Sequence, residues 1–331
     1  MSLLLTIAIP TFNRMKFLKR ALDSILVQYD ERLEIIVSDN CSEDDTDNLM
    51  LNYMSRYPFI RYIKNGSNIG PDANFLKCLR NANGKYVWLL GSDDIVTENS
   101  IKVILEYINS YECPLVFMNH IFFQGKYKGI DKYNNFHISK QKNKCLLNKK
   151  QFMDIAKDRI TFMSSLLITK DSFGCIKNPE QYIGSYFIHT CLALEAAASS
   201  DSLGIIYYPC VADDTTPSNS GLSVNPELNF YIFGKCMKYV FCEVGGNCNF
   251  NVDQMKGIHK QATLRMWPFY IINMKAKFGR MVNEAFWDNG YDSIKEYKEI
   301  WFTVIPTLYI PKFIAKLIVK YIKPIYKKIK S

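Results

Sequence analysis

The amino-acid sequence predicts an α/β fold, a mostly parallel β-sheet flanked by helices and followed by a helical C-terminal region. Through the first third of the chain, short apolar runs of strand length alternate with stretches whose apolar residues recur at helical spacing. Such alternation lays successive strands parallel and covers both faces of the sheet with helices. From about Asn225 the strand-like runs give way to longer helical ones. A third observation, 48% apolar residues in a chain of 331, provides for a sizeable core and excludes a disordered chain.

In chain order, residues 3–9 form an apolar run that stops at Pro10 and the polar Thr11-Phe12-Asn13-Arg14. The run lacks the basic leader of a signal peptide and reads as a buried first strand. Residues 15–28 have helical spacing, 33–38 read as the second strand, 44–57 as a helix, 60–64 as the third strand and 73–82 as a helix. Residues 86–90 make the fourth strand, 98–110 a helix and 115–118 a further strand. Residues 124–150, rich in Lys and Asn, read as an exposed insertion. Helical spacing then returns at 227–240, 252–267, 269–288 and 292–302. The expected division is an α/β domain over 1–222 and a helical region over 223–331.

Charge and cysteine usage narrow the function. A net charge of +9 points to an anionic partner, whether a nucleotide, a nucleic acid or an anionic membrane surface. No recognised RNA-binding motif accompanies the basic stretches, so no nucleic-acid partner is expected. The ten cysteines include no C-x-x-C pair, which argues against a zinc or redox site and fits a reducing cytoplasm. No G-x-G-x-x-G follows the first strand, so a dinucleotide cofactor is not expected. No apolar run approaches the roughly 20 residues of a spanning helix.

The chemistry is expected at the carboxyl ends of the strands, where open α/β sheets bind ligands. The run Tyr86-Val87-Trp88-Leu89-Leu90-Gly91-Ser92-Asp93-Asp94 ends an apolar strand at a small-residue turn and delivers two adjacent carboxylates. Such a pair suits Mg²⁺ or Mn²⁺ shared with substrate phosphates, and the alternative is a solvated Asp-Asp turn. Pro10, Thr11 and Asn13 follow the first strand, Ser38, Asp39, Asn40 and Ser42 the second, and Asn65, Asn68, Gly70 and Asn74 the third. Together they outline a nucleotide pocket in which Asp39 accepts from a base while Asn68 and Gly70 admit a ribose or phosphate. Asn13, Ser42 and Asn68 are also good helix caps, and Ser42 is assigned that role, with Asp44 and Asp45 in the first turn.

The segments Thr6–Arg14, Glu34–Ser42, Asn68–Phe75 and Trp88–Asp94 resemble, in order and spacing, the family 2 glycosyltransferases of the GT-A fold. Gly70-Pro71-Asp72-Ala73-Asn74-Phe75, Ser164-Ser165-Leu166-Leu167-Ile168 and Tyr182–His189 look more narrowly like the O-antigen abequosyltransferase group. The resemblance implies a nucleotide-sugar-binding catalytic domain over 1–222. Its implied reaction moves a sugar from a nucleotide-diphosphate donor to a lipid-linked saccharide in surface-polysaccharide synthesis. A CDP-linked 3,6-dideoxyhexose such as abequose is the favoured donor, with UDP- and dTDP-sugars as the others. By position, Pro10, Thr11 and Asp39 would hold base and ribose, with Asn13, Asn68, Gly70, Asn74 and Ser92 around the donor. Asp93 and Asp94 would take the metal place, Asp94 also acting in the reaction. The family's usual motif opens with another Asp where this chain has Gly91, which leaves fewer protein ligands.

The usual Glu-Asp pair of inverting members is also missing near 184–189. His189 becomes the candidate base, its alternative being a core or capping histidine. Asp213 and Asp214 are the other candidate base or third metal ligand, in a loop running to Gly221 that could close over the donor. Arg265 with Trp267 offers an acceptor-side cation and platform, or a buried helix position. A catalytically silent nucleotide- or saccharide-binding relative is the alternative function.

In the tail, Lys312, Lys316, Lys320, Lys323 and Lys327 share one helical face. Phe313, Ile314, Leu317, Ile318, Tyr321, Ile322, Ile325 and Ile329 take the other, with a kink expected at Pro324. Such a helix either lies on an anionic membrane or packs on its own domain with the lysines in water. The expected location is cytoplasmic, peripheral at the inner face of the cytoplasmic membrane.

Overall fold

A computed structural model describes residues 3–138, 144–216 and 225–322. Its backbone groups into two compact units. The boundary between them, like the one expected at 222/223, falls within 217–224, outside the described residues. Cys248–Phe250 returns to the first unit, which sequence pattern did not indicate.

The first unit is built on a mixed nine-stranded sheet: β1 (Leu5–Thr11), β2 (Leu33–Asp39), β3 (Ile60–Lys64), β4 (Tyr86–Leu89), β5 (Ile95–Val96), β6 (Leu115–Phe123), β7 (Lys144–Leu147), β8 (Leu166–Thr169) and β9 (Leu203–Asp214). The spatial order is β3-β2-β1-β4-β8-β6-β9-β5, with β7 also on β9. The first four strands are parallel, as expected, in a register that places Thr11 beside Asp39 and Asp39 beside Lys64. The expected parallel run ends there, because the short β8 inserts antiparallel between β4 and β6. Strands β1 and β2 are buried along their whole length, so they read as continuous apolar runs rather than alternating ones.

Helices α1 (Met15–Leu26), α2 (Thr46–Arg56), α3 (Pro71–Asn81) and α4 (Ser100–Ser110) connect these strands. Leu18, Leu22 and Ile25 of α1 and Ile101, Ile104 and Leu105 of α4 pack with Ile7, Ile9, Ile35, Trp88 and Leu90 in one core. Each such side chain contributes about 1.5–3 kcal/mol when fully buried. Gly70 turns the chain into α3 at φ +83°, a backbone conformation that L side chains resist, and Pro71 starts the helix with its φ pre-set. Helices α5 (Lys149–Ala156), α6 (Lys170–Gly174) and α7 (Ile188–Ala196) complete the unit.

The second unit is helical. Its longest helix, Val252–Phe278, is continuous where two separate helical runs were expected. Pro268 lies inside it and removes one hydrogen bond, but Trp267, Ile271 and Met274 on the same helix are buried with Phe230 and Phe286. That packing outweighs the local break. Trp267, 1% exposed, is a core residue, so it offers no acceptor platform.

Candidate active site

The carboxyl ends of β1, β2 and β4 open on a cleft of about 440 Å³. Pro10, Thr11, Asn40, Asn68, Asn74, Ser92 and Asp93 line it, seven of the residues expected there, together with Phe12, Arg14, Pro71, Phe75, Gly91 and Met163. The Thr11 hydroxyl is buried and has no hydrogen-bond partner among the described residues, leaving it available to a ligand.

One wall is an amide network. Ser38 Oγ donates to Asn74 Oδ1 at 2.7 Å, and Asn65 Nδ2 donates to Asn74 Oδ1 at 3.1 Å and to Asn40 Oδ1 at 3.0 Å. Asn40 Nδ2 in turn donates to Asn68 Oδ1 at 2.8 Å and to the Gly70 carbonyl at 3.2 Å. Satisfied polar networks of this kind hold their members rigid. Asn68 and Gly70 thus set the loop before α3, with Gly70 donating its N–H to Asn68.

Three expected residues stand behind the lining. Asp39 is fully buried, its carboxylate accepting from Ser42 N at 3.0 Å, Ser42 Oγ at 2.5 Å and Tyr62 Oη at 2.7 Å, so its oxygens are engaged within the fold. Ser42 is therefore not the cap of α2, which begins at Thr46; its hydroxyl accepts from Asn13 N and ties the first two loops together. Asn13 closes the same junction by accepting from Glu43 N at 2.8 Å.

The carboxylates at the tip of β4 part company. Asp93 faces the cleft in an ion pair with Arg14, and Arg20 donates to the Asp93 carbonyl and to Asp214 Oδ2. Asp94 turns inward, where Ser164 Oγ donates to it at 2.5 Å while accepting from Gly91 N at 2.8 Å. Burial, with Asp93 and Asp213 nearby, pushes the Asp94 carboxyl well above its ordinary range. A Cβ at Gly91 would stand 2.7 Å from Asp94 Oδ2 and 3.3 Å from Ser164 Oγ, so the Asp of the family motif would force the Asp94 carboxyl to shift here. Burial raises Asp213 to about 6, opposed by Arg159 and reinforced by Asp93 and Asp214. Asp214 shifts the other way despite burial, because Thr216 and Arg20 donate to it.

Among the described residues no group of three or more His, Cys, Asp or Glu side chains is placed to hold a metal ion. The expected pair Asp93 and Asp94 offers one outward carboxylate, already met by a guanidinium, and one inward carboxyl turned to a serine. Of the expected pair, Asp93 alone faces the cleft as a carboxylate that could share a cation with donor phosphates.

His189 is not a lining residue. It sits in the first turn of α7, 5% exposed, behind Phe75 and against Phe187, with Nε2 2.9 Å from the Thr161 carbonyl. Burial drops its imidazole to about 4. This placement fits the core alternative: an apolar helix start and two aromatic neighbours surround the ring. Nearby, Asp72 accepts from Gly184 N at 2.8 Å and Tyr186 N at 2.9 Å, fixing the Tyr182–His189 segment to α3. Arg14, Arg20 and Ser164 carry much of the site; Arg14 and Ser164 had no sequence signal beyond membership of the motifs quoted above, and Arg20, inside the first helical run, had none.

The profile described as "Glycosyl transferase family 2" matches residues 6–168, which include β1 to β6 and the whole cleft lining. Residues 6–168 are a family 2 glycosyltransferase domain. An abequosyltransferase of Salmonella typhimurium is 29% identical over 209 residues, 58% of this chain and 60% of the relative. The GalNAc(5)-diNAcBac-PP-undecaprenol beta-1,3-glucosyltransferase of Campylobacter jejuni is 35% identical over 106 residues, 32% of this chain and 34% of the relative. The chain thus spans less than two thirds of the length of these curated relatives. The crystal structure of S. aureus TarS 1-349 superposes with a TM-score of 0.60 at 15% identity over 89% of this chain and 81% of that one. A mannosyltransferase of Pyrobaculum calidifontis in complex with GDP-Man and Mn²⁺ gives 0.52 at 15% identity over 96% and 87%. At those identities the likeness establishes the GT-A fold of the family 2 domain.

Proposed function

We propose that this chain is a glycosyltransferase that moves a sugar from a nucleotide-diphosphate donor to a lipid-linked saccharide in O-antigen or surface-polysaccharide synthesis. The observation that carries the reading is the cleft itself. A family 2 domain brings Thr11, with its unpartnered hydroxyl, the Asn40, Asn68 and Asn74 amides, and the Arg14–Asp93 pair to one strand edge. Hydroxyl and amide groups suit base and ribose, and a guanidinium suits phosphate. Negative charge grows on the diphosphate as the glycosidic bond breaks, and a preorganised cation lowers that barrier by favouring the transition state over the ground state. In this reading the cation is Arg14, released from Asp93 when the donor enters. No step in this reading is routed through Mg²⁺ or Mn²⁺, which the family implies and toward which Asp93 is the one carboxylate of the pair that faces the cleft.

Similarity to the abequosyltransferase supports a CDP-linked 3,6-dideoxyhexose as donor, ahead of UDP- and dTDP-sugars. The undecaprenol-named relative supports a lipid-linked acceptor, and with it a place at the inner face of the cytoplasmic membrane. A thermal-shift screen with CDP-, UDP-, GDP- and dTDP-sugars tests the reading, because a ligand of the folded state raises stability by mass action. One donor class should raise the melting temperature and then be turned over with acceptor. If none binds, the reading fails; binding without transfer or hydrolysis leaves a silent nucleotide-sugar-binding relative.

A further inference from the structure

The end of the second unit presents an apolar surface outward. Ile300, Val304, Ile305 and Leu308 are buried in that unit's core. Trp301 and Phe302, between them in sequence, are 53% and 87% exposed, and Tyr309 is 75% exposed. After Pro311 the helix Lys312–Leu317 buries Ala315 alone. Phe313 and Leu317, one turn apart on its outer side, are 66% and 51% exposed. A helix packed on its own domain would bury that stripe and leave only its lysines in water. Here the stripe is outermost.

Lys312, Lys316 and Lys320 are exposed as well, and each precedes a member of the series Phe313, Leu317, Tyr321 by one residue. A cationic stripe therefore runs beside the apolar one. Exposed lysines next to Trp, Tyr and Phe side chains form the pattern that settles at a headgroup boundary. An anionic bilayer supplies a field of counter-charges to those lysines and an apolar boundary to the aromatic side chains beside them. The segments Ile300–Leu308 and Lys312–Tyr321 meet at 102°, and among the described residues no single helix is long and apolar enough to cross a membrane.

We propose that Trp301, Phe302, Tyr309, Phe313 and Leu317 form a two-segment wedge that enters the headgroup boundary of an anionic bilayer, with Lys312, Lys316 and Lys320 against its phosphates. The wedge goes beyond the expected tail helix, since part of it precedes Pro311. Its purpose rests on the lipid-linked acceptor reading above, because it would hold the enzyme where such an acceptor lies. Residues from Lys323 onward, expected to extend the basic face, lie outside the described residues.

The test is co-sedimentation of the full chain with vesicles of phosphatidylcholine alone and of phosphatidylcholine mixed equally with phosphatidylglycerol. The wild type should partition to the mixed vesicles, less so at high salt. The combined Lys312→Gln, Lys316→Gln and Lys320→Gln variant should lose about a hundredfold in partition. The combined Trp301→Ser, Phe313→Ser and Leu317→Ser variant should lose roughly tenfold or more, since binding scales with buried apolar area. All these side chains are exposed, so both variants should melt as the wild type does. A wild type that stays in solution, or a serine variant that partitions unchanged, overturns the wedge. So does a concentration-dependent dimer, seen by light scattering, that Phe313→Ser dissolves, for the face would then belong to a second copy. Thermal shift with nucleotide sugars on the same samples separates the two readings. Donor binding without vesicle binding sinks the wedge alone, and vesicle binding without donor binding sinks the proposed reaction alone.

Discussion

Replacing His189 with alanine removes an imidazole packed against Phe75 and Phe187, at ring-centroid distances of 5.9 and 6.1 Å, and bonded to the Thr161 carbonyl. Truncating a buried ring costs about 3 kcal/mol, and the carbonyl left without its donor adds about 1 kcal/mol. The unfolding free energy should therefore fall by roughly 4 kcal/mol, read as a lower urea midpoint at constant slope. The same burial makes the effect pH-dependent. The folded imidazole, at about 4, lies below its ordinary 6.5, so its contribution is complete above 6.5 and is lost as pH falls toward 4. The difference corresponds to about 3 kcal/mol. His189→Gln, which takes up no proton, should flatten that part of the stability profile. At neutral pH and low temperature the folded alanine variant should turn over within about threefold of wild type, whereas loss of a general base removes about 10²- to 10⁴-fold. A loss of that size with the urea midpoint unmoved would refute the packing role and return His189 to the reacting groups.

Three further outcomes follow from the strand tip. Gly91→Asp, which would restore the family's motif, should destabilise by about 1–3 kcal/mol through overpacking against Asp94 and Ser164, while Gly66→Ala, with nothing within 4 Å of its added Cβ, should stay within about 0.5 kcal/mol in the same melts. Asp94→Asn should match the wild type more closely than Asp94→Ala, which leaves the buried Ser164 hydroxyl proton without an acceptor at a cost of about 1–3 kcal/mol. Because the Asp94 carboxyl is raised when folded, stability should decline as pH climbs above its unfolded value near 3.8, and Asp94→Asn should remove that decline in a pH series of melts. Arg14→Gln should weaken nucleoside-diphosphate binding about tenfold or more in calorimetry, from loss of a charge-assisted contact, and chelation by EDTA should leave wild-type affinity unchanged. Affinity that collapses in EDTA would contradict Arg14 as the diphosphate cation.

Local sequence pattern suffices for the parallel half of the sheet, β1 to β4 with α1 to α4, to within two residues at each end. It also locates Pro10, Thr11, Asn40, Asn68, Asn74, Ser92 and Asp93 at one edge. Both are local properties: apolar periodicity marks which faces are buried, and parallel strands bring their carboxyl ends to the same side. The four-residue β8 between β4 and β6, and the continuous helix through Pro268, were decided by packing against distant segments.

The fate of each polar group was likewise a tertiary matter. Asp93 meets Arg14 across 79 residues, Asp94 meets Ser164 across 70, and Asp39 meets Tyr62 across 23. A carboxylate at a strand end is equally able to face a ligand, a cation or a neighbouring side chain. Which one it faces depends on the partner that burial leaves within reach, and that partner lies too far along the chain for periodicity or spacing to disclose.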